Sequence, residues 1–137
     1  MRFSLFFQVN IWAPYRELVG GKVKSHLYFS LDGVEWREFG HNTKGVFFKD
    51  MSTKAFREWF NVSLFKVKPS DEFPSHKHSH AHVLYFLSGK GECWIGGKTY
   101  EIKPNDVALV DGEVEHGYKN IGNTDMLLVV LNAPATR

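Results

Sequence analysis

An all-β domain, an antiparallel sandwich or barrel, is the fold this sequence predicts, and three observations carry the expectation. Turn-forming residues recur at short intervals from Gly20-Gly21 to Gly122-Asn123. Between them lie short runs rich in β-branched and aromatic residues, which suit the pleated, half-buried surface of a strand. Helical signals are few. At 137 residues the chain makes one domain with a real core, and 12 phenylalanines lift its aromatic content to 15%.

The elements follow in order. Residues 1–25 read as an N-terminal arm or strand, with 26–137 as a single β-barrel domain. Arg2 and the apolar stretch Phe3–Trp12 faintly resemble a secretion signal, but Gln8 and Asn10 interrupt it and no cleavage site follows. That stretch is also too short to span a bilayer. Pro14–Leu18 and Thr53–Trp59 could each form one short helical turn. Strands are expected at Gly45–Lys49, Phe60–Lys68, His82–Leu87, Cys93–Ile95, Thr99–Ile102, Val107–Val110 and Met126–Leu131, with one more starting at His116. The turns that separate them include Pro69-Ser70-Asp71, Ser88-Gly89-Lys90-Gly91, Gly96-Gly97, Pro104-Asn105-Asp106 and Asp111-Gly112.

Composition excludes several function classes. Lys+Arg is 17 against Asp+Glu at 15, a net charge of +2, and the basic residues form no stripe. Nucleic acid is therefore not an expected partner, nor is a membrane. The single cysteine, Cys93, rules out an intramolecular disulfide and fits a reducing compartment, the cytoplasm. Asn61-Val62-Ser63 matches a glycosylation sequon only by chance in that setting.

The chemistry concentrates in histidine. Four of the seven histidines fall on alternate residues, His76, His78, His80 and His82, and His116 lies downstream. A strand points every second side chain to one face, so an extended run here would aim several imidazoles into one cavity. Imidazole is the most common protein ligand for zinc and also suits iron, copper and nickel. The competing account is a solvated histidine-rich loop.

The stretch from His76 to Gly89, His-Lys-His-Ser-His-Ala-His-Val-Leu-Tyr-Phe-Leu-Ser-Gly, resembles the first motif of the cupin superfamily. In that motif two histidines one residue apart are followed by a glutamate and then a glycine. His76, His78 and Gly89 match, and the glutamate position is taken by His82. His116 and Asn120 match the end of the second motif, and Pro104-Asn105-Asp106 stands where the family usually has Pro-Gly-Asp. The resemblance covers about Val46 to Leu131 and implies a jelly-roll β-barrel. It also implies one divalent metal ion (Fe, Ni, Mn, Zn or Cu) held by His76, His78, His82 and His116, with His80 outside the ligand set.

The substitution at His82 has a chemical consequence. Four neutral imidazoles leave the ion its full +2 charge, which favours polarisation of a substrate oxygen. They also remove a carboxylate base, so proton transfer needs another group. Leu84 and Phe86 share the parity of His82, and Tyr118 and Asn120 share that of His116, so all four are expected along a substrate pocket. Tyr118 is the candidate catalytic residue, as a hydrogen-bond donor or weak acid, with a plain pocket wall as the alternative. Asp111, Glu113 and Glu115 are candidates to orient an imidazole, or a solvated acidic turn. Cys93, Trp94 and Phe65 read as core, His26 and His41 as surface or structural.

Two function classes follow. One is a metal-dependent enzyme acting on a small oxygen-bearing organic substrate, of dioxygenase, isomerase or lyase type. The other is a non-catalytic ligand-binding or sensing module with a structural metal. The aromatic-rich outer strands and the arm lead us to expect a homodimer.

Overall fold

Alternation builds the body of the molecule. In β5 (Asn61–Val67) every second residue is buried, and the same pattern runs through β4 (Val46–Asp50) and most of β12 (Met126–Ala133). Each strand therefore turns one face to a shared interior. The computed structural model describes residues 28–52 and 60–133, together with the backbone of β1 (Leu18–Val19) and β2 (Lys22–Val23). The remaining strands are β3 (Arg37–Glu38), β6 (Glu72–His76), β7 (Ala81–Ser88), β8 (Gly91–Ile95), β9 (Lys98–Ile102), β10 (Val107–Val110) and β11 (His116–Asn120). A short 3-10 turn at Leu31–Gly33 is capped by the Ser30 side chain, which accepts from the Asp32 N–H.

These strands form a jelly roll of two main antiparallel sheets. One has the order β10-β7-β12-β5-β4-β3 and the other β6-β11-β8-β9, while β1 and β2 pair separately. Val46, Phe65, Phe86, Leu128 and Met126 from the larger sheet pack on Cys93, Ile102 and Tyr118 from the smaller. Register then arranges the interior in layers. Asn61, Asn132 and His82 are cross-strand partners at one end. Next come Ser63, Val130 and Leu84, and below them Phe65, Leu128 and Phe86. The interior is polar at its histidine end and apolar beneath.

The expected strands coincide with observed ones to within a few residues, but the two-residue β3 and strand β6 were not among them. Strand β6 was not foreseen, because Glu72-Phe73-Pro74-Ser75 lacks β-branched residues and contains a proline. Pro74 is tolerated because β6 lies at a sheet edge and its pairing with β11 shifts register between His116–His76 and Tyr118–Phe73. The expected continuous extension over residues 76–82 is corrected: β6 ends at His76 and β7 begins at Ala81. The turns at 14–18 and 53–59 and the boundary at 25/26 fall outside the described residues, apart from Leu18 in β1. Among the described residues no helix is long and apolar enough to cross a membrane.

Candidate metal centre

Both main sheets and one loop deliver the histidines. His76 closes β6 and stands opposite His116, the first residue of β11, so their rings meet at 4.3 Å between centroids. His82 comes from β7 in the other sheet. His78 sits in the connection between β6 and β7, which is held by a 2.7 Å bond from the Glu113 N–H to the His78 carbonyl. Gly112 makes that approach possible, since a Cβ there would collide with the Ser79 backbone oxygen.

The tautomers follow from the hydrogen bonds. Nδ1 of His76 lies 2.9 Å from the Pro74 carbonyl, Nδ1 of His78 2.9 Å from the His80 carbonyl, and Nδ1 of His116 2.7 Å from the Val114 carbonyl. A carbonyl only accepts, so in each case Nδ1 carries the proton and Nε2 keeps its lone pair. For His82 the neighbour across the ladder is Asn132. Nδ1 of His82 and Oδ1 of Asn132 are both buried, and neither has another hydrogen-bond partner among the described residues.

Four lone pairs thus converge. One ligand atom from each of His76, His78, His82 and His116 falls within 4.8 Å of all the others. Nε2 of His78 and of His82 are 2.6 Å apart, and the buried Nε2 of His116 has no protein partner among the described residues. Metal–nitrogen bonds of about 2.1 Å place cis ligands roughly 3 Å apart and trans ligands roughly 4.2 Å apart. Adjustments of a few tenths of an ångström would seat one ion, so the donor set fits a divalent metal.

Burial keeps the rings of His78, His82 and His116 neutral. It is the main reason that His78 and His116 titrate at about 4 and His82 at about 2, and the neighbouring histidines lower each further. A neutral ring is the form that ligates. His80 stacks on His78 at 3.8 Å with the planes 5° apart, and its carbonyl receives the His78 Nδ1–H. It lies outside the group of four. Asp111, Glu113 and Glu115 are exposed and hold the turn rather than the rings: Asp111 accepts from the Gly112 N–H and Glu115 from the Ser75 hydroxyl.

A cavity of about 540 Å³ opens onto all four rings. Leu84 and Tyr118 line it. Burial pushes the Tyr118 phenol above its ordinary range, so it faces the cavity as a neutral hydroxyl. Phe86 and Asn120, expected beside them, line no part of it. Phe86 lies one layer deeper, level with Leu128 and Phe65. Asn120 is fully buried at the far end of β11, where its Nδ2 donates to the Val67 and Thr124 carbonyls and its Oδ1 accepts from the Gly122 N–H. Both share the inward parity of true lining residues, and parity does not encode depth.

The walls also contain residues that sequence reasoning missed. Phe39, Phe73 and His41 line the cavity, although each comes from a segment without a local signal. Asn61, Ser63 and Asn132 form its polar side. Their inward alternation along β5 and β12 was the one available clue.

A family model for the cupin domain matches residues 63–132. The chain is 27% identical over 66 residues to the 5-nitrosalicylic acid 1,2-dioxygenase of a Bradyrhizobium species, a match covering 48% of this chain and 32% of that protein. It is 34% identical over 78 residues to the L-ectoine synthase of Vibrio cholerae, covering 56% of each. The chain thus spans about a third to somewhat over half of the length of these curated relatives. Among solved structures, a predicted oxalate decarboxylase from Thermotoga maritima superposes with a TM-score of 0.68 at 25% identity, over 76% of this chain and 96% of that one. The histidine spacing, the jelly roll and a family match spanning about half of the residues agree: the chain belongs to the cupin family.

Proposed function

We propose that this protein is a metal-dependent cupin enzyme that acts on a small oxygen-bearing organic substrate. One divalent ion (Fe, Ni, Mn, Zn or Cu) would be held by His76, His78, His82 and His116. The observation that carries this reading is the convergence of four Nε2 lone pairs at the head of an open cavity. A closed structural site would need no such space, so the cavity favours catalysis over a purely structural metal. The dioxygenase and synthase relatives support the enzyme class.

When bound, the ion would act as a Lewis acid toward a substrate oxygen. The chain's own residues do the rest. Carbonyls of Pro74, His80 and Val114, with Asn132, fix the ring orientations. Phenylalanine and leucine side chains below the histidines keep water away from the bound molecule. Among the described residues no carboxylate lines the cavity, so a proton leaving the substrate passes to His41, His80 or solvent.

The test is elemental analysis of protein purified without an affinity tag, comparing wild type with His116→Ala. About one equivalent of metal that falls in the variant supports the assignment. No bound metal, and none taken up from Fe(II), Ni(II) or Zn(II), overturns it.

A further inference from the structure

Among the described residues the cavity has an aromatic part and a neutral polar part. Next to His76, Phe73 sits with its ring centroid 4.7 Å from the imidazole. Phe73 leads to Phe39 at 5.2 Å, Phe39 to Phe65 at 5.3 Å, and Phe73 also meets Tyr118 at 5.4 Å. Phe39 and Phe73 are only half-buried, leaving ring surface open to the cavity. On the same strand as Phe65, one and two layers nearer the histidines, Ser63 and Asn61 present neutral groups, joined by Asn132 of β12. Among the described residues, no Lys, Arg, Asp or Glu lines the space. Asp50, the cross-strand partner of Ser63, turns instead to Ser52, accepting from its N–H and hydroxyl at 3.0 Å each.

From these walls we infer that the cavity takes a planar aromatic compound with one ionisable hydroxyl, its ring among Phe39, Phe65 and Phe73 and its oxygen toward the four histidines. This rests on the metal-site reading above and adds the substrate class. An ion with four neutral ligands would carry its full +2 charge, and among the described residues no Lys, Arg, Asp or Glu competes with it, so it favours an oxyanion. A zwitterion with a separate ammonium would bury a charge without a partner, which is costly. The volume of about 540 Å³ suits a molecule of one or two rings. Stacked and edge-to-face ring contacts add a factor of roughly 2 to 10 in affinity per pair beyond apolar burial. The wall is therefore selective for aromatic over aliphatic rings. Neutral polar substituents would meet Ser63 and the two asparagine amides.

Calorimetry on the metal-loaded protein tests this with 4-nitrophenol as probe, and with cyclohexanol as comparator. We expect 4-nitrophenol to bind at least about tenfold tighter than cyclohexanol. Phe73→Leu and Phe39→Leu, which keep an apolar side chain, should each weaken it by roughly 3- to 10-fold with metal content unchanged. Equal binding of cyclohexanol, or wild-type affinity in both leucine variants, would overturn the aromatic class. Repeating the nitrophenol and cyclohexanol titrations on chelator-treated protein separates the two readings. If the protein takes up no metal, the metal-site assignment fails, while the preference of the metal-free cavity still decides the aromatic one.

Discussion

His78 and His82 bring their Nε2 atoms to 2.6 Å of each other, although one lies in a loop and the other in a strand. The Nδ1 of His78 is committed to the His80 carbonyl, and that of His82 has Asn132 as its neighbour. A proton between the two Nε2 atoms could bridge them only as a cation, and burial opposes that charge. A metal ion relieves the same crowding while binding all four rings. His82→Glu should therefore retain about one equivalent of metal. His76→Ala combined with His78→Ala should lower affinity well over about 100-fold. Full occupancy in the double variant would refute the ligand set.

Acid should unfold the metal-free protein through these rings. His78 and His116 titrate at about 4 and His82 at about 2 in the folded chain, against 6.5 when unfolded. A depressed histidine pKa means that the unfolded state binds more protons below 6.5. The stabilising contribution is thus complete above about pH 6.5 and is lost progressively down toward pH 4 for His78 and His116, and further toward pH 2 for His82. Thermal melts of chelated protein should show a falling Tm across that window, and a shallower fall in His82→Leu. A flat profile would mean that the rings are already protonated in the fold.

Asn132 should tune the site without touching the ion. It is the cross-strand partner of His82, and it donates a long 3.5 Å bond from Nδ2 to Asn61. Removing its acceptor in Asn132→Leu should weaken metal binding roughly 10- to 100-fold, and Asn132→Asp should restore it. Chelator competition reads the affinities. Equal values in all three proteins would show that His82 is oriented by packing alone.

Much of this architecture was legible because the strands announce themselves by β-branched residues between turn residues, and because alternation within β7 separates Leu84 from Tyr85. Asn105 illustrates the limit of motif reading in a favourable way. It takes a positive φ of 77° where glycine is usual, and its side chain accepts from the Tyr85 hydroxyl at 2.7 Å. Other features had no sequence signal. Three of the four imidazoles are held by backbone carbonyls, which any residue supplies. Phe39 and His41 reach the cavity from the β3–β4 turn, where His41 itself adopts φ 51°. Their proximity to β6 is set by tertiary packing alone.

Gly112→Ala probes the seating of the His78 loop. The new methyl would strike the Ser79 backbone oxygen, so the loop must shift or the turn must open. Because His78 is the one ligand outside a strand, metal affinity should fall by at least about 10-fold. The loss in Tm should be small, since no core residue is touched. Unchanged affinity would show that the loop can retreat without carrying the His78 ring with it.

Asn120 provides the converse case, a motif position whose work is structural. Its amide ties β5 and the turn before β12 to β11, through bonds of 2.9 Å to Val67, 2.7 Å to Thr124 and 2.8 Å from Gly122. All three are made by a side chain with no exposed surface. Asn120→Ala leaves the buried Val67 carbonyl, the Thr124 carbonyl and the Gly122 N–H without that partner, at a cost of about 2–4 kcal/mol. Denaturant unfolding should record that loss, while metal content and affinity stay at the wild-type level because His116 lies at the other end of the strand. A variant of unchanged stability and weakened metal binding would return Asn120 to the pocket and reverse the assignment made from its hydrogen bonds.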